Sequence, residues 1–260
     1  MKKIQILLLI LILTACSKET SNLTSLQTIQ EKKTMVVGFT NYPPLGFKDE
    51  NQEIVGLDID IATAVAERLG VSVTFQYIDW DNKMFELNNH NIDMIWNGFT
   101  ITTEREKEVN FSKPYMDNQI VILSLSTRPI STIEDLKGLD VGVETQSSGQ
   151  IAIEKHPIIE DINELQKYTN ISEALLALNA KTVDAIVVDV TFAGYLSQQN
   201  PNQYHVSDAS FASEFYAIGF RKDEDDSLKD AIDAIIDELI LSKEAQEISE
   251  KWLGKDMIKR

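Results

Sequence analysis

Four groups of residues in this sequence could do chemistry, and each falls where a folded chain holds a side chain still. Arg105 follows the apolar run Ile92 to Trp96 and sits in the first turn of a predicted helix beginning near Thr102. A guanidinium there, with the N–H groups of the helix start beside it, can grip a carboxylate through paired hydrogen bonds. Asp189 directly follows Ala185-Ile186-Val187-Val188, so its carboxylate stands at the mouth of a buried strand, where an unpaired charge is costly. Ser147 and Ser148 open another predicted helix, Ser147 to Lys155, and offer hydroxyls at an amide-rich anion site. Glu144 is the one obvious acid or base.

The familiar reactive arrangements are missing. Neither G-x-G-x-x-G nor G-x-x-x-x-G-K-[ST] occurs, and neither does H-E-x-x-H or G-x-S-x-G. His90, His156 and His205 are far apart and form no metal-spaced set, so neither a metal nor a cofactor is expected. No positioned base accompanies either serine, which argues against a nucleophile. The charged run Asp223 to Asp226 reads as a turn.

Positioning these groups requires strands and helices in alternation, and the sequence from Thr34 onward supplies them, the pattern of an α/β architecture. Met35 to Phe39 is the first predicted strand. Leu57 to Leu69 puts Ile61, Ala62, Val65 and Leu69 on one helical face and stops at Gly70. Val71 to Tyr77 alternates as a strand, Phe85 to His90 forms a short helix, and Ile120 to Leu125 is a strand crossing into a second lobe. Ser131-Thr132-Ile133-Glu134 fits a capping box for a short helix ending at Gly138. Leu139 to Val143, the helix Ile171 to Ala180 and the strand Ala185 to Val188 follow, with Phe215 to Phe220 as the return crossing. A helical face of Ile232, Ile235, Ile236 and Leu239 runs within Leu228 to Trp252, and Gly254 caps it.

The chain has 260 residues, 43% apolar and 25% charged, which excludes a disordered or collagen-like chain and gives room for two lobes. Its net charge of −17 would repel a phosphate backbone, so nucleic-acid binding is disfavoured. Lys2 and Lys3 precede an apolar run from Ile4 to Leu13 broken by Gln5, too short to span a bilayer. Residues 1–15 therefore read as a signal peptide. Residues 16–33, polar and lysine-rich, read as a lipidated cysteine and a flexible tether. Leu13-Thr14-Ala15-Cys16 resembles a bacterial lipobox, which implies that Cys16, the chain's one cysteine, becomes the lipidated first residue.

Eight further segments stand in a familiar order. They are Tyr42-Pro43-Pro44, Val55 to Asp60 with Leu69-Gly70, Thr100 to Arg105, and Phe111-Ser112-Lys113-Pro114-Tyr115. Then come Asp135-Leu136-Lys137-Gly138, Val141-Gly142-Val143, Val183-Asp184-Ala185 and Lys251-Trp252-Leu253-Gly254. Across nearly everything after the tether, the chain resembles the bacterial extracellular solute-binding proteins of polar amino-acid ABC transporters. The resemblance implies a two-lobed, periplasmic-binding-protein-like (type II) α/β fold with two crossover strands as hinge. Lobe 1 would be residues 34–120 plus 217–260, and lobe 2 residues 121–216.

It also implies roles. Arg105 would clamp the α-carboxylate of a free amino acid, and Asp189 would receive the α-ammonium. Gly98 would offer a backbone carbonyl, Thr100 a hydroxyl and N–H, and Ser147 and Ser148 a hydroxyl pair across the cleft. Tyr42 would stack on the ligand, while Trp80 with Asp81, Asn97 and Phe99 would help line the pocket. Gln146 stands where relatives often have glycine, and its side chain could narrow the pocket or read the ligand. Physically, an enclosed zwitterion needs a cation, an anion and oriented amides, and this sequence places all three at strand ends. Asp81, Glu144 and Gln146 would suit glutamine, a basic side chain or cystine. The implied protein is an extracytoplasmic, lipid-anchored monomer that hands its ligand to ABC permease subunits and is not an enzyme. The alternatives are a secreted cyclohexadienyl dehydratase-like enzyme using Glu144, and a surface sensor or adhesin.

Overall fold

A computed structural model describes residues 23–260; the expected signal peptide and the expected lipidation site, Cys16, lie outside the described residues. The chain begins with α1 (Ser25–Lys32) and β1 (Thr34–Phe39), then a small hairpin of β2 (Phe47–Lys48) and β3 (Ile54–Val55). Next come α2 (Leu57–Leu69), β4 (Ser72–Tyr77), α3 (Lys83–Asn88), β5 (Met94–Ile95) and β6 (Val109–Phe111). The chain then crosses through β7 (Met116–Leu125) to β8 (Asp140–Glu144), α4 (Ser148–Lys155), β9 (Glu164–Tyr168) and α5 (Ile171–Asn179). After β10 (Ala185–Asp189) and α6 (Val190–Gln199) it returns along β11 (Tyr204–Tyr216) to β12 (Gly219–Arg221), α7 (Ser227–Leu241) and α8 (Glu244–Leu253).

Two five-stranded sheets result, ordered β4-β1-β5-β12-β6 and β11-β7-β10-β8-β9. In the first, β1 runs parallel to β4 and β5; in the second, β8 runs parallel to β9 and β10. The inner parallel strands β1, β5, β8 and β10 are mostly buried and apolar, as strands covered on both faces must be, while the edge strands β4 and β9 are part exposed. Helix α2 illustrates the packing: Leu57, Ile61, Ala62 and Val65 are each at most 2% exposed. Each large one of these contributes about 1.5–3 kcal/mol by leaving water. Gly70, at φ +72°, ends the helix by donating its N–H to the Ala66 and Glu67 carbonyls. β7 and β11 pair antiparallel with Met116 opposite Tyr216, so the two crossings between sheets lie side by side.

Several elements differ from the sequence reading. The expected tether already forms α1: Thr24 caps it in a reciprocal capping box with Gln27, and Ile29 is buried. Its polar residues face outward, while Ser25 bonds Asp225 and Ser227 at the start of α7. The helix expected near Thr102 is only a 3-10 turn, Arg105–Lys107. The Ser131–Glu134 capping box is absent, because the Asp135 carboxylate accepts the Ser131 and Thr132 amides and a 3-10 turn, Glu134–Leu136, forms instead. The strand expected over Phe215 to Phe220 is divided between β11 and β12, since Ala217 and Ile218 pass from one sheet to the other. The long C-terminal helix breaks at Lys243, whose φ is +69°.

Candidate functional site

Loops at the carboxyl ends of the strands in both sheets face one another and close tightly over a cavity of about 10 Å³. Thr40, Tyr42, Trp80, Asn97, Gly98 and Arg105 line it from the first sheet, and Glu144, Ser147, Ser148 and Asp189 from the second. Such a crevice beyond the strand ends is where open α/β sheets bind ligands. A wider, open hollow at the far end of the second sheet, between Asn179 and Pro201, is lined by no buried charge.

On the first wall, the loop after β5 is held from behind. The buried Asp58 carboxylate, in the first turn of α2, accepts the Gly98 N–H at 2.7 Å and the Tyr115 hydroxyl at 2.8 Å. Gly98 adopts φ +61°, a left-handed turn that glycine takes without strain. Asn97 turns its carbonyl oxygen to the Thr40 amide and hydroxyl. Phe99 is fully buried beneath the cavity, its ring 4.7 Å from the Arg105 guanidinium.

Arg105 itself is 5% exposed. Its Nη1 donates to the Thr100 carbonyl at 2.9 Å and its Nη2 crosses the cleft to the Gln146 carbonyl at 3.0 Å. Burial lowers its pKa to about 10, which leaves it charged at neutral pH. Beside it, Lys83 is 2% exposed, donates to the Trp80 carbonyl at 2.8 Å and lies 4.8 Å from the centre of the Trp80 ring. Burial, and then the Arg105 charge, lower its pKa to about 7.

On the second wall, Asp189 precedes α6 but does not cap it. Its carboxylate instead accepts the Tyr42 hydroxyl at 2.5 Å, the Tyr216 hydroxyl at 2.9 Å and the Asn118 amide. Burial raises its pKa, and these three donors oppose the rise. Glu144, at the end of β8, accepts the Ile171 amide at the start of α5. Its pKa is pushed up to about 8, first by burial and then by the Asp189 charge. Ser147 caps α4 by accepting the Gln150 amide, so its hydroxyl is partly committed, while the Ser148 hydroxyl lies 3.3 Å from that of Thr100 across the cleft.

The geometry thus gathers most of the residues singled out in the sequence. Three stand apart: Phe99 lies under the cavity rather than on it, Thr100 is buried beside it with its carbonyl on Arg105 and its hydroxyl toward Ser148, and Gln146 sends its side chain into solvent. Gln146 adopts φ +58°, which swings its carbonyl toward Arg105 and its side chain outward. Tyr42 lies 5.1 Å from the Phe192 ring and commits its hydroxyl to Asp189. Asp81 does not line the cavity. Sequence reasoning missed Thr40, Lys83, Asn118 and Tyr216. Among the described residues no group of His, Cys, Asp or Glu could hold a metal ion, and no helix is long and apolar enough to cross a membrane.

Two α/β units thus meet over buried groups of opposite charge. The chain belongs to the bacterial extracellular solute-binding proteins, family 3, which match residues 35–255. The L-cystine-binding protein TcyJ of Escherichia coli (strain K12) is 29% identical over 237 residues, 90% of this chain and 88% of that one. The arginine-binding extracellular protein ArtP of Bacillus subtilis (strain 168) is 30% identical over 245 residues, covering 92% of each. A solved ABC uptake transporter substrate-binding protein from Streptococcus pneumoniae, with bound histidine, superposes with a TM-score of 0.85 at 34% identity. That match covers 90% of this chain and 97% of the other. The fold is therefore the two-lobed α/β fold of this family, and these relatives are binding proteins.

Proposed function

We propose that the protein is an extracytoplasmic receptor that closes on a free amino acid and delivers it to the permease subunits of an ABC importer. One observation carries this reading: Arg105 and Asp189, opposite charges buried on opposite walls, are each held by neutral hydrogen-bonding groups rather than by an ion pair among the described residues. A zwitterion inserted between them would meet its carboxylate's partner on one side and its ammonium's on the other. Residues 34–120 with 217–260 and residues 121–216 would move as the two lobes about β7 and β11. Ligand contacts from both walls favour the closed form, and the permease reads that shape.

In this reading the protein is a monomer that transforms nothing, needs no cofactor, and is held at the membrane by lipid on Cys16 after removal of residues 1–15. A dehydratase-like activity draws on a single feature, the buried Glu144 carboxyl facing the cavity. Melting the purified protein against the twenty amino acids, cystine and prephenate tests both. A ligand that binds only the native state at a hundred times its dissociation constant adds about 2.7 kcal/mol. A shift with one or a few amino acids supports the receptor. No shift with any amino acid overturns it, and turnover of prephenate would put the enzyme in its place.

A further inference from the structure

A monoamino, monocarboxylic amino acid would account for Arg105 and Asp189 and leave Glu144 without a task. Glu144 is 4% exposed and lines the same cavity. It ends β8, the parallel neighbour of β10, with Ile186 opposite Gly142, so Glu144 and Asp189 stand at the mouths of adjacent strands about one residue apart in register. Among the described residues the Ile171 amide is the one hydrogen-bond donor to its carboxyl, and it reaches only Oε1. The nearby cations do not pair with it. Lys83 is held at the Trp80 carbonyl and ring, and Arg105 at the Thr100 and Gln146 carbonyls. A carboxyl buried at a strand mouth, bonded on one side only and facing a closed cavity, is a receptor for a cation that the protein does not supply.

Resting on the amino-acid reading above, the geometry points to a ligand with a second cationic group, received by Glu144 while Asp189 holds the α-ammonium. That group can be the guanidinium or ammonium of a basic side chain, an imidazolium, or the distal ammonium of a double amino acid such as cystine. Glu144 is then the residue that sets specificity. Asp189, braced by Tyr42, Tyr216 and Asn118, serves any amino acid alike.

The test is calorimetric titration of the full chain with arginine against citrulline, lysine against norleucine, and with histidine and cystine, repeated on Glu144→Gln and Asp189→Asn. Glutamine keeps the size of the side chain and can still accept the Ile171 amide, and circular dichroism checks that each variant is folded. The wild type is expected to favour at least one cationic ligand by about a hundredfold over its neutral counterpart, or to bind cystine or histidine with Glu144→Gln lowering that affinity about a hundredfold. The Glu144→Gln variant is expected to bring the paired ratio to within about threefold of unity, while Asp189→Asn weakens both members of a pair together. A ratio that survives Glu144→Gln overturns the assignment, as does a loss that falls equally on cationic and neutral ligands, which would mean that both carboxylates share the α-ammonium. A wild type that binds only neutral amino acids overturns it as well. A wild type that binds no amino acid overturns instead the reading on which it rests.

Discussion

The two walls of the cleft carry opposite charges and hold them by the same device. The wall on the first sheet presents Arg105, with Lys83 buried beside it, and the wall on the second presents Glu144 and Asp189. Each cation rests on carbonyl oxygens, those of Thr100, Gln146 and Trp80. Asp189 and Glu144 rest on N–H and O–H donors, those of Tyr42, Tyr216, Asn118 and Ile171. Dipoles fixed by the fold thus stand in for water, which lowers the cost of burial without spending either charge on the other. Asp58 makes the contrast plain. It too is a buried carboxylate with a tyrosine partner, but its contacts tie the Gly98 loop from behind the wall, so it positions the site and does not line it.

If the walls act as complementary halves, removing the charge from either should disable the whole. Arg105→Ala is expected to weaken amino-acid binding by about a thousandfold, since it strips the carboxylate of the guanidinium that would pair with it. Asp189→Asn should cost a similar factor, and the double variant should lose little more than either single one. Titration calorimetry with a double-mutant cycle measures this. Strictly additive losses would mean that the walls act independently.

The pH response separates the buried acids from the buried base by sign. Burial raises the carboxyls of Asp58 and Glu214 to about 7 and that of Glu144 to about 8. Each keeps its proton in the folded chain over a range where the unfolded chain has lost it. Their contribution to stability is present below the ordinary carboxylate range and fades as pH rises through the folded values. Lys83, lowered to about 7, acts oppositely: the unfolded chain holds its proton above pH 7 and the folded chain does not, so stability gains with rising pH there. The ligand-free protein should therefore lose roughly 5 °C or more in melting temperature between pH 5 and 7 and then level off. Asp58→Asn and Glu144→Gln should each flatten the fall, and Lys83→Met should remove the levelling. A melting temperature constant from pH 5 to 8 would contradict the burial of these titrating groups.

A smaller effect belongs to Tyr42, which reaches from the first wall to the Asp189 carboxylate. Removing one hydrogen bond to a charged group costs about 1.5–3 kcal/mol. Tyr42→Phe should therefore reduce affinity by about tenfold, because its hydroxyl bridges the walls only when they meet. Equal melting temperatures with and without the hydroxyl, at unchanged affinity, would show that the bridge contributes nothing to closure.

How much of this could be read from sequence follows from what each residue's neighbours reveal. Asp189 was legible because four apolar residues lead up to it, and the α2 face because its period is helical and Gly70 ends it. Lys83 was hidden: a lysine opening a short segment with Glu86 reads as a solvated face, and only the fold of the Trp80–Asn82 turn carries it under the cleft. Asn118 and Tyr216 were hidden for another reason, since they sit on β7 and β11 about 100 residues apart and meet only because the two crossings pair. Helix α1 was misread as tether because composition outweighed Thr24 and Gln27, whose spacing is that of a capping box.

Gln146 offers the finest test of the comparison, because it touches both cations and belongs to the opposite wall. Its backbone carbonyl, not its side chain, meets Arg105 at 3.0 Å and lies 3.5 Å from Lys83. That orientation requires φ +58°, a region that costs a non-glycine residue on the order of 1 kcal/mol. Gln146→Gly would relieve that strain but would add about as much freedom to the unfolded chain, so stability should move by less than about 1 kcal/mol in either direction. The carbonyl stays in place, and affinity should remain within about twofold of the wild type. A change of tenfold or more, for one ligand and not another, would show that the side chain folds inward on binding and reads the ligand. An unchanged affinity leaves the second wall's contribution at this point to the peptide oxygen, and leaves selection among amino acids to Glu144.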